Sequence, residues 1–274
     1  VSMLHDGFAA LWLLLLLLLR GRLKEIRIAL KQRDALYCML GALLGGPVAM
    51  TCYLLSIATA GVAVTTTVTA CYPLLGAALS VLILKEKVGR RTWIGLSLCL
   101  VGIALTAYSP EEGSMGSFAW NSLLFAGLAA VGWASESVVC AYGMRADGIA
   151  PPTALLIRES TSAIAYLVII SVFTFWMNGT EAESLQQLFT FSRPTALLLL
   201  TAFIGMSSFL AWYTAIDTIG PARALGLNVT YSVWGVILAA LFLDQPPSLW
   251  VLLGSLIILL GVCYGSLSSK NENK

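Results

Sequence analysis

The chain has 274 residues, of which 58% are apolar and only 11% charged, against roughly 25% charged in a soluble domain. With a net charge of only +2, this composition excludes a soluble fold and leaves a single multi-pass membrane domain. A helix needs about 20 apolar residues to cross the hydrocarbon core, and nine such stretches follow one another: 1–19, 35–58, 62–84, 92–109, 119–143, 152–176, 194–217, 221–243 and 247–268. Their runs of Leu, Ile, Val and Ala do not alternate with period two, which argues against a β-barrel. The connections are too short for a separate soluble domain.

The placement of charge predicts the topology. Arg20, Arg22, Lys24, Arg27, Lys31 and Arg33 follow the first stretch, and Lys85, Lys87, Arg90 and Arg91 follow the third. Threading the spans puts Arg145, Arg223, Lys270 and Lys274 on that same side. The other side carries Arg193 with Glu111, Glu112, Glu181 and Glu183. By the positive-inside rule the C-terminus, including a tail at 269–274, is cytoplasmic. Nine spans then leave residue 1 outside, and Val1 opens directly into an apolar stretch. The expectation is that a further helix precedes this sequence, making ten. A signal peptide fits poorly, because 1–19 has no basic leader and carries Asp6. Six cysteines (Cys38, Cys52, Cys71, Cys99, Cys140, Cys263) lie within spans without C-x-x-C pairing and read as apolar thiols. A glycosylation sequon stands at Asn178-Gly179-Thr180.

The sequence repeats internally. Shifting it by 159 residues superposes Gly61 on Gly220, Tyr72 on Tyr231, Gly76 on Gly235, Gly95 on Gly254 and Gly102 on Gly261. A shift of 153 puts His5-Asp6 on Arg158-Glu159, a polar pair near the start of each second helix. The first half (1–109) thus holds helices two to five and the second half (118–268) helices six to ten. A repeat of five spans forces opposite orientations of its two copies, the architecture of many secondary carriers, whose substrate sits near the midplane.

Charged groups inside the bilayer cost roughly 2.5–3.5 kcal/mol on insertion scales, so each calls for a reason. Glu136 lies mid-span in Gly132-Trp133-Ala134-Ser135-Glu136-Ser137, with Trp133 on the same face. It reads as a carboxylate facing a cationic ligand or exchanging protons, or else as a structural carboxyl bonded to a neighbouring helix. Arg158 and Glu159, being adjacent, are expected to point to different faces. An interhelical ion pair or snorkelling would account for Arg158 without a ligand. His5 and Asp6 are candidates for proton coupling or gating, as are Arg158, Glu159 and Asn228. Trp212, Tyr213, Tyr231 and Trp234 are mid-span aromatics, with Tyr53 and Tyr72 their counterparts in the first half. Rings around a carboxylate suit a methyl-shielded cation, whose charge is drawn to π faces without hydrogen bonds. Trp12, Trp93, Trp120, Trp176 and Trp250 read instead as interface anchors near span ends. Gly45-Gly46-Pro47, Tyr72-Pro73 and Gly220-Pro221 mark candidate bends. Basic residues follow the topology and point to no nucleic acid, and no motif points to an enzyme, a metal site or a cofactor.

Several strings resemble a known family. The Gly-rich fourth and ninth helices, with Leu84-Lys85-Glu86-Lys87-Val88-Gly89-Arg90-Arg91-Thr92-Trp93 leading into the next helix, are similar to the drug/metabolite transporter superfamily of EamA type. His5-Asp6, 41–50 (GALLGGPVAM), 132–138 (GWASESV), 154–159 (ALLIRE) and 222–234 (ARALGLNVTYSVW) resemble the LicB-type bacterial choline transporters. The resemblance implies an all-α transmembrane fold of inverted five-plus-five repeats. It also implies import of choline by alternating access across the cytoplasmic membrane, for phosphocholine decoration of surface glycopolymers. Trp133, Glu136, Trp212, Tyr213, Tyr231 and Trp234 would then belong to an aromatic cage, with Tyr53 and Tyr72 from the other half. Two features depart from the pattern: Glu159 stands where a neutral glutamine is expected, and the helix expected to bring a site tryptophan would precede residue 1. Two other readings stand beside this one: an amino-acid, amine or drug exporter of the same superfamily, and a non-transporting scaffold or choline sensor. The expected partners are a small cation and membrane lipids, with the chain a monomer or homodimer.

Overall fold

The computed structural model describes residues 1–106, 120–145, 148–176, 193–242 and 247–266. The sequon at 178–180, the loop residues Glu111, Glu112, Glu181 and Glu183, and the tail at 269–274 lie outside the described residues. Every described regular element is helical. Helix α1 spans Ser2–Leu19, followed by a short α2 at Leu23–Ala29 and by α3 at Asp34–Leu43. A π-helical turn at Leu44–Val48 joins α3 to α4, Ala49–Thr69. Then come α5 (Tyr72–Leu79), a second π turn (Ser80–Leu84) and α6 (Arg90–Thr106). The remainder is α7 (Trp120–Gly143), α8 (Pro151–Trp176), α9 (Arg193–Ile219), α10 (Pro221–Asn228), α11 (Tyr231–Phe242) and α12 (Leu249–Ser266).

Among the described residues, six helices are long and apolar enough to cross a membrane, with shorter apolar helices at Tyr72–Leu84 and Leu249–Gly265. Two of the nine expected stretches are not continuous helices. The stretch 62–84 breaks between α4 and α5, after Thr69, and 221–243 breaks between α10 and α11, after Asn228. Thr69 and Asn228 are equivalent under the 159-residue shift. So are Gly61 (φ 81°, ψ 168°) and Gly220 (φ 85°, ψ 155°), which end the preceding helical runs. That backbone region is open essentially to glycine alone, so both halves place a glycine where the chain must leave the helix.

Packing follows the rules of lipid rather than water. The interior is lined by Ala9, Ala42, Ala126, Ala129, Ala130, Ala134 and Ala154, all fully buried, while Leu82 and Leu241 point outward. Lipid tails are as apolar as leucine, so helices associate through small residues that let backbones approach. The crossing of α6 and α12 is the clearest case. A methyl on Gly95 would sit 2.5 Å from Gly261 O, and one on Gly102 would sit 2.7 Å from Gly254 O. Under the shift Gly95 matches Gly254 and Gly102 matches Gly261, so each glycine meets the counterpart of the other. Reciprocal contacts of this kind arise when two related elements pack about a local two-fold axis.

One expected interface anchor is misplaced. Trp12 lies in the middle of α1 rather than at its end. Its indole N–H donates to Leu199 O at 3.1 Å, and its ring meets Phe203 edge-on at 5.1 Å. The tryptophan is a rivet between α1 and α9.

Candidate functional site

The helices enclose a cavity of about 530 Å³ bordered by α1, the first π turn, α4 and α5 and by α7 to α11. Ligand sites typically occupy roughly 300–1,000 Å³. One side of the cavity is charged and the other aromatic.

The charged side is organised by Arg158, near the start of α8 and buried. Its Nε donates to Glu136 Oε1 on α7 at 2.7 Å. Its Nη1 lies 3.2 Å from Glu159 Oε1 and 3.8 Å from Asp6 Oδ2 on α1. The guanidinium also stands 5.2 Å over the Phe209 ring of α9, a favourable geometry for a cation and a π face. Ser162, one turn along α8, donates to Asp6 Oδ2 at 2.6 Å, and His5 Nδ1 lies 3.2 Å from Asp6 Oδ1. Three carboxyl groups therefore share one guanidinium. Glu159 is 1% exposed, and its Oε2 has no hydrogen-bond partner.

These contacts correct one expectation. Arg158 and Glu159 do not point to separate faces, because the long guanidinium reaches back to the neighbouring carboxylate. The His5-Asp6 pair and the Arg158-Glu159 pair, equivalent positions of the two halves, lie together. Antiparallel packing of α1 on α8 brings them into one network.

The aromatic side centres on Trp133. A π turn opens the carbonyl ladder to outside donors. Trp133 Nε1–H uses this opening and donates to Gly45 O at 3.1 Å. A side chain on Gly45 would overlap the Glu136 carboxylate, so the missing Cβ makes room for the acid. The Trp133 ring lies 6.0 Å edge-on from Tyr72 and 5.1 Å from Tyr53. Tyr72 Oη accepts Asn228 Nδ2–H at 2.9 Å, which ties α5 to the end of α10 at the two equivalent helix breaks. Across the cavity, Trp212 packs edge-on against Phe209 at 5.7 Å and Tyr213 at 5.6 Å. The Trp212 indole N–H is buried without an acceptor.

Glu136, Trp133, Trp212, Tyr72, Tyr231, His5, Asp6, Arg158, Glu159 and Asn228 all border the cavity. Three expected site residues do not. Tyr213 is fully buried behind the wall, where its hydroxyl donates to Glu136 Oε1 at 3.4 Å and lies 3.3 Å from Cys140 Sγ. Tyr53 packs against Trp133 without bordering the cavity, and Trp234, as exposed as Tyr231, does not border it either. Sequence reasoning passed over Phe209, Met50, Tyr166 and Ser208, which line the cavity, and Ser162. Phe209 lies three residues before Trp212 and Ser162 four after Arg158, so helical spacing from a recognised residue is the signal that reaches both.

The model of the EamA-like transporter family matches residues 1–108 and 120–266. Protein LicB of Haemophilus influenzae is 30% identical over 235 residues, which cover 86% of this chain and 76% of that protein. A protein solved by crystallography superposes with a TM-score of 0.72 at 18% identity, over 100% of this chain and 88% of the other; that likeness concerns the fold alone. All-helical architecture, apolar helices of membrane-spanning length and a family match over nearly the whole sequence lead to one conclusion: the chain belongs to the EamA-like transporter family.

Proposed function

We propose that this transporter imports choline across the bacterial cytoplasmic membrane, with its C-terminus in the cytoplasm, by alternating access to the cavity between its two halves. The observation that carries the reading is one cavity holding π faces from Trp133, Tyr72, Trp212 and Tyr231 together with three carboxyl groups that share a single guanidinium. A quaternary ammonium cannot donate a classical N–H hydrogen bond, so ring quadrupoles and unshared carboxylate charge are what a protein can offer it. Glu136 is the acid nearest the Trp133 ring in sequence, and bound choline would compete with Arg158 for its charge. The helix breaks at Gly61 and Gly220, and those after Thr69 and Asn228, supply hinges about which parts of each half can rock.

An inside-negative potential draws a fixed cation inward by about 2.3 kcal/mol per 100 mV, so uptake needs no coupling ion in principle. Proton coupling through His5, Asp6 or Glu136 is a further part of the reading, and uptake that ignores pH at fixed potential would remove it. The test is saturable uptake of radiolabelled choline into proteoliposomes under an imposed negative-inside potential. Glu136→Gln is expected to lose at least about tenfold of that uptake while remaining folded, because Arg158 keeps Glu159 and Asp6 as partners. Equal uptake by both proteins would move the site away from Glu136. No uptake by the folded wild type would leave an exporter of the same fold as the better description.

A further inference from the structure

Two buried polar atoms in the cavity wall lack partners, and they are complementary. Glu159 Oε2 is an acceptor without a donor, its sister Oε1 being engaged by Arg158 at 3.2 Å. Trp212 Nε1–H is a donor without an acceptor. Both residues border the same cavity. A buried polar group left unpaired costs roughly 1–3 kcal/mol, and more when charged, so such atoms persist where something outside the folded chain completes them. A hydroxyl is the smallest group that completes both, because it carries one O–H donor and two acceptor lone pairs.

We propose that Glu159 and Trp212 together read a hydroxyl on the cationic substrate, which makes the site selective for hydroxyalkyl ammonium compounds over other quaternary amines. The inference rests on the choline reading and adds which end of the molecule is recognised, and by what. The indole N–H donates to the substrate oxygen, whose own O–H donates to Glu159 Oε2. The ammonium end then lies toward Trp133 and Tyr72. The same arrangement rejects a carboxylate at the far end of the ligand, because Glu159 would face it with like charge.

The test compares two cations by calorimetry on the full chain: choline and (2-methoxyethyl)trimethylammonium, which keeps the charge, the methyl groups and the oxygen but has no O–H. Wild type is expected to bind the ether at least about tenfold more weakly than choline, the loss of one hydrogen bond to a charged acceptor. Glu159→Leu is expected to bring the two ligands within about threefold of each other. Trp212→Phe, which keeps an aromatic ring and deletes only the donor, is expected to weaken choline and the ether by a similar factor. It should weaken a third cation, trimethylpropylammonium, which has no oxygen, distinctly less, and it carries the test if Glu159→Leu does not fold. Equal affinities in wild type, a preference for choline over the ether that survives Glu159→Leu, or a Trp212→Phe that weakens all three cations alike would overturn the assignment while leaving choline as the substrate. Failure of either cation to bind folded wild type would overturn the choline reading itself, and the hydroxyl assignment with it.

Discussion

Where α6 crosses α12, Gly95, Gly102, Gly254 and Gly261 bring two backbones together, and this apolar crossing satisfies itself. Across the molecule, the cavity wall gathers Asp6, Glu136, Glu159, Arg158 and His5 and leaves Glu159 Oε2 and Trp212 Nε1–H without partners. The first region minimises distance and the second maintains an electrostatic imbalance. In a membrane, where apolar burial gives little drive for helices to associate, close backbone approach is what small residues supply. Buried charge carries the opposite cost, and a chain retains it where it serves a ligand or a switch. The comparison separates the part of the molecule that holds shape from the part that has work left to do.

The largest effect is expected from removing the single cation of the charged wall. Arg158→Met leaves Glu136, Glu159 and Asp6 facing one another without a counter-ion. Breaking a buried pair from one side costs about 3–5 kcal/mol, so the variant should melt far below wild type or fail to purify as a monodisperse protein. Adding Glu136→Gln in the same chain should recover part of that loss, because the two residues are coupled through a 2.7 Å hydrogen bond. A double variant no more stable than Arg158→Met would break the picture of a shared guanidinium. At the glycine crossing the expected cost is smaller. Gly102→Leu forces α6 away from α12 and should cost about 1–3 kcal/mol in thermal stability. Choline affinity of the protein that does fold should stay unchanged, since Gly102 does not border the cavity. A loss of affinity with no loss of stability would show that the two regions are not separate.

The repeat that supplies the crossing glycines is legible in the sequence, their contact is not, and the charge network is legible only in part. A shift of 159 residues aligns the four glycines, and the same register makes the two helix breaks equivalent. Glu136 and Arg158 stood out because charge inside a span is costly. What the sequence could not express was who meets whom. The pairing of Asp6 with Ser162 depends on the antiparallel register of α1 on α8, which no local pattern encodes. The break after Thr69 lies beside the candidate bend at Tyr72-Pro73, whereas the break after Asn228 interrupts an apolar run with no local signal of its own. Trp234 shares a helix with Tyr231 and is almost equally exposed, yet Tyr231 alone of the two borders the cavity. Phe209 was hidden among ordinary apolar residues, and only the guanidinium above its ring distinguishes it.

The smallest effect concerns a carboxyl that belongs to neither region. Glu86 follows the second π turn and lies against Gly220, where a side chain would overlap its carboxylate. Burial pushes its carboxyl above the ordinary value of 4.5. Hydrogen bonds from Ser80 and the Ala222 backbone, and the charges of Arg223 and Arg145, pull it back only in part. A carboxyl raised in the folded state binds its proton more tightly there than in the unfolded chain. Its contribution to stability is therefore fully present below the ordinary carboxylate range and is lost as pH rises through the raised value. Glu86→Gln removes that loss. Melting temperatures of the two proteins should nearly coincide at the acid end of the range and diverge in favour of the variant toward neutral pH, by less than about 1 kcal/mol, because the group is only partly buried. Parallel pH profiles would mean that the Ala222 and Ser80 hydrogen bonds, together with the two arginines, outweigh burial. Glu86 would then be a paired acid in the manner of Glu136, and the line drawn between a self-satisfied scaffold and an unfinished cavity would have to move toward the loop at 85–89.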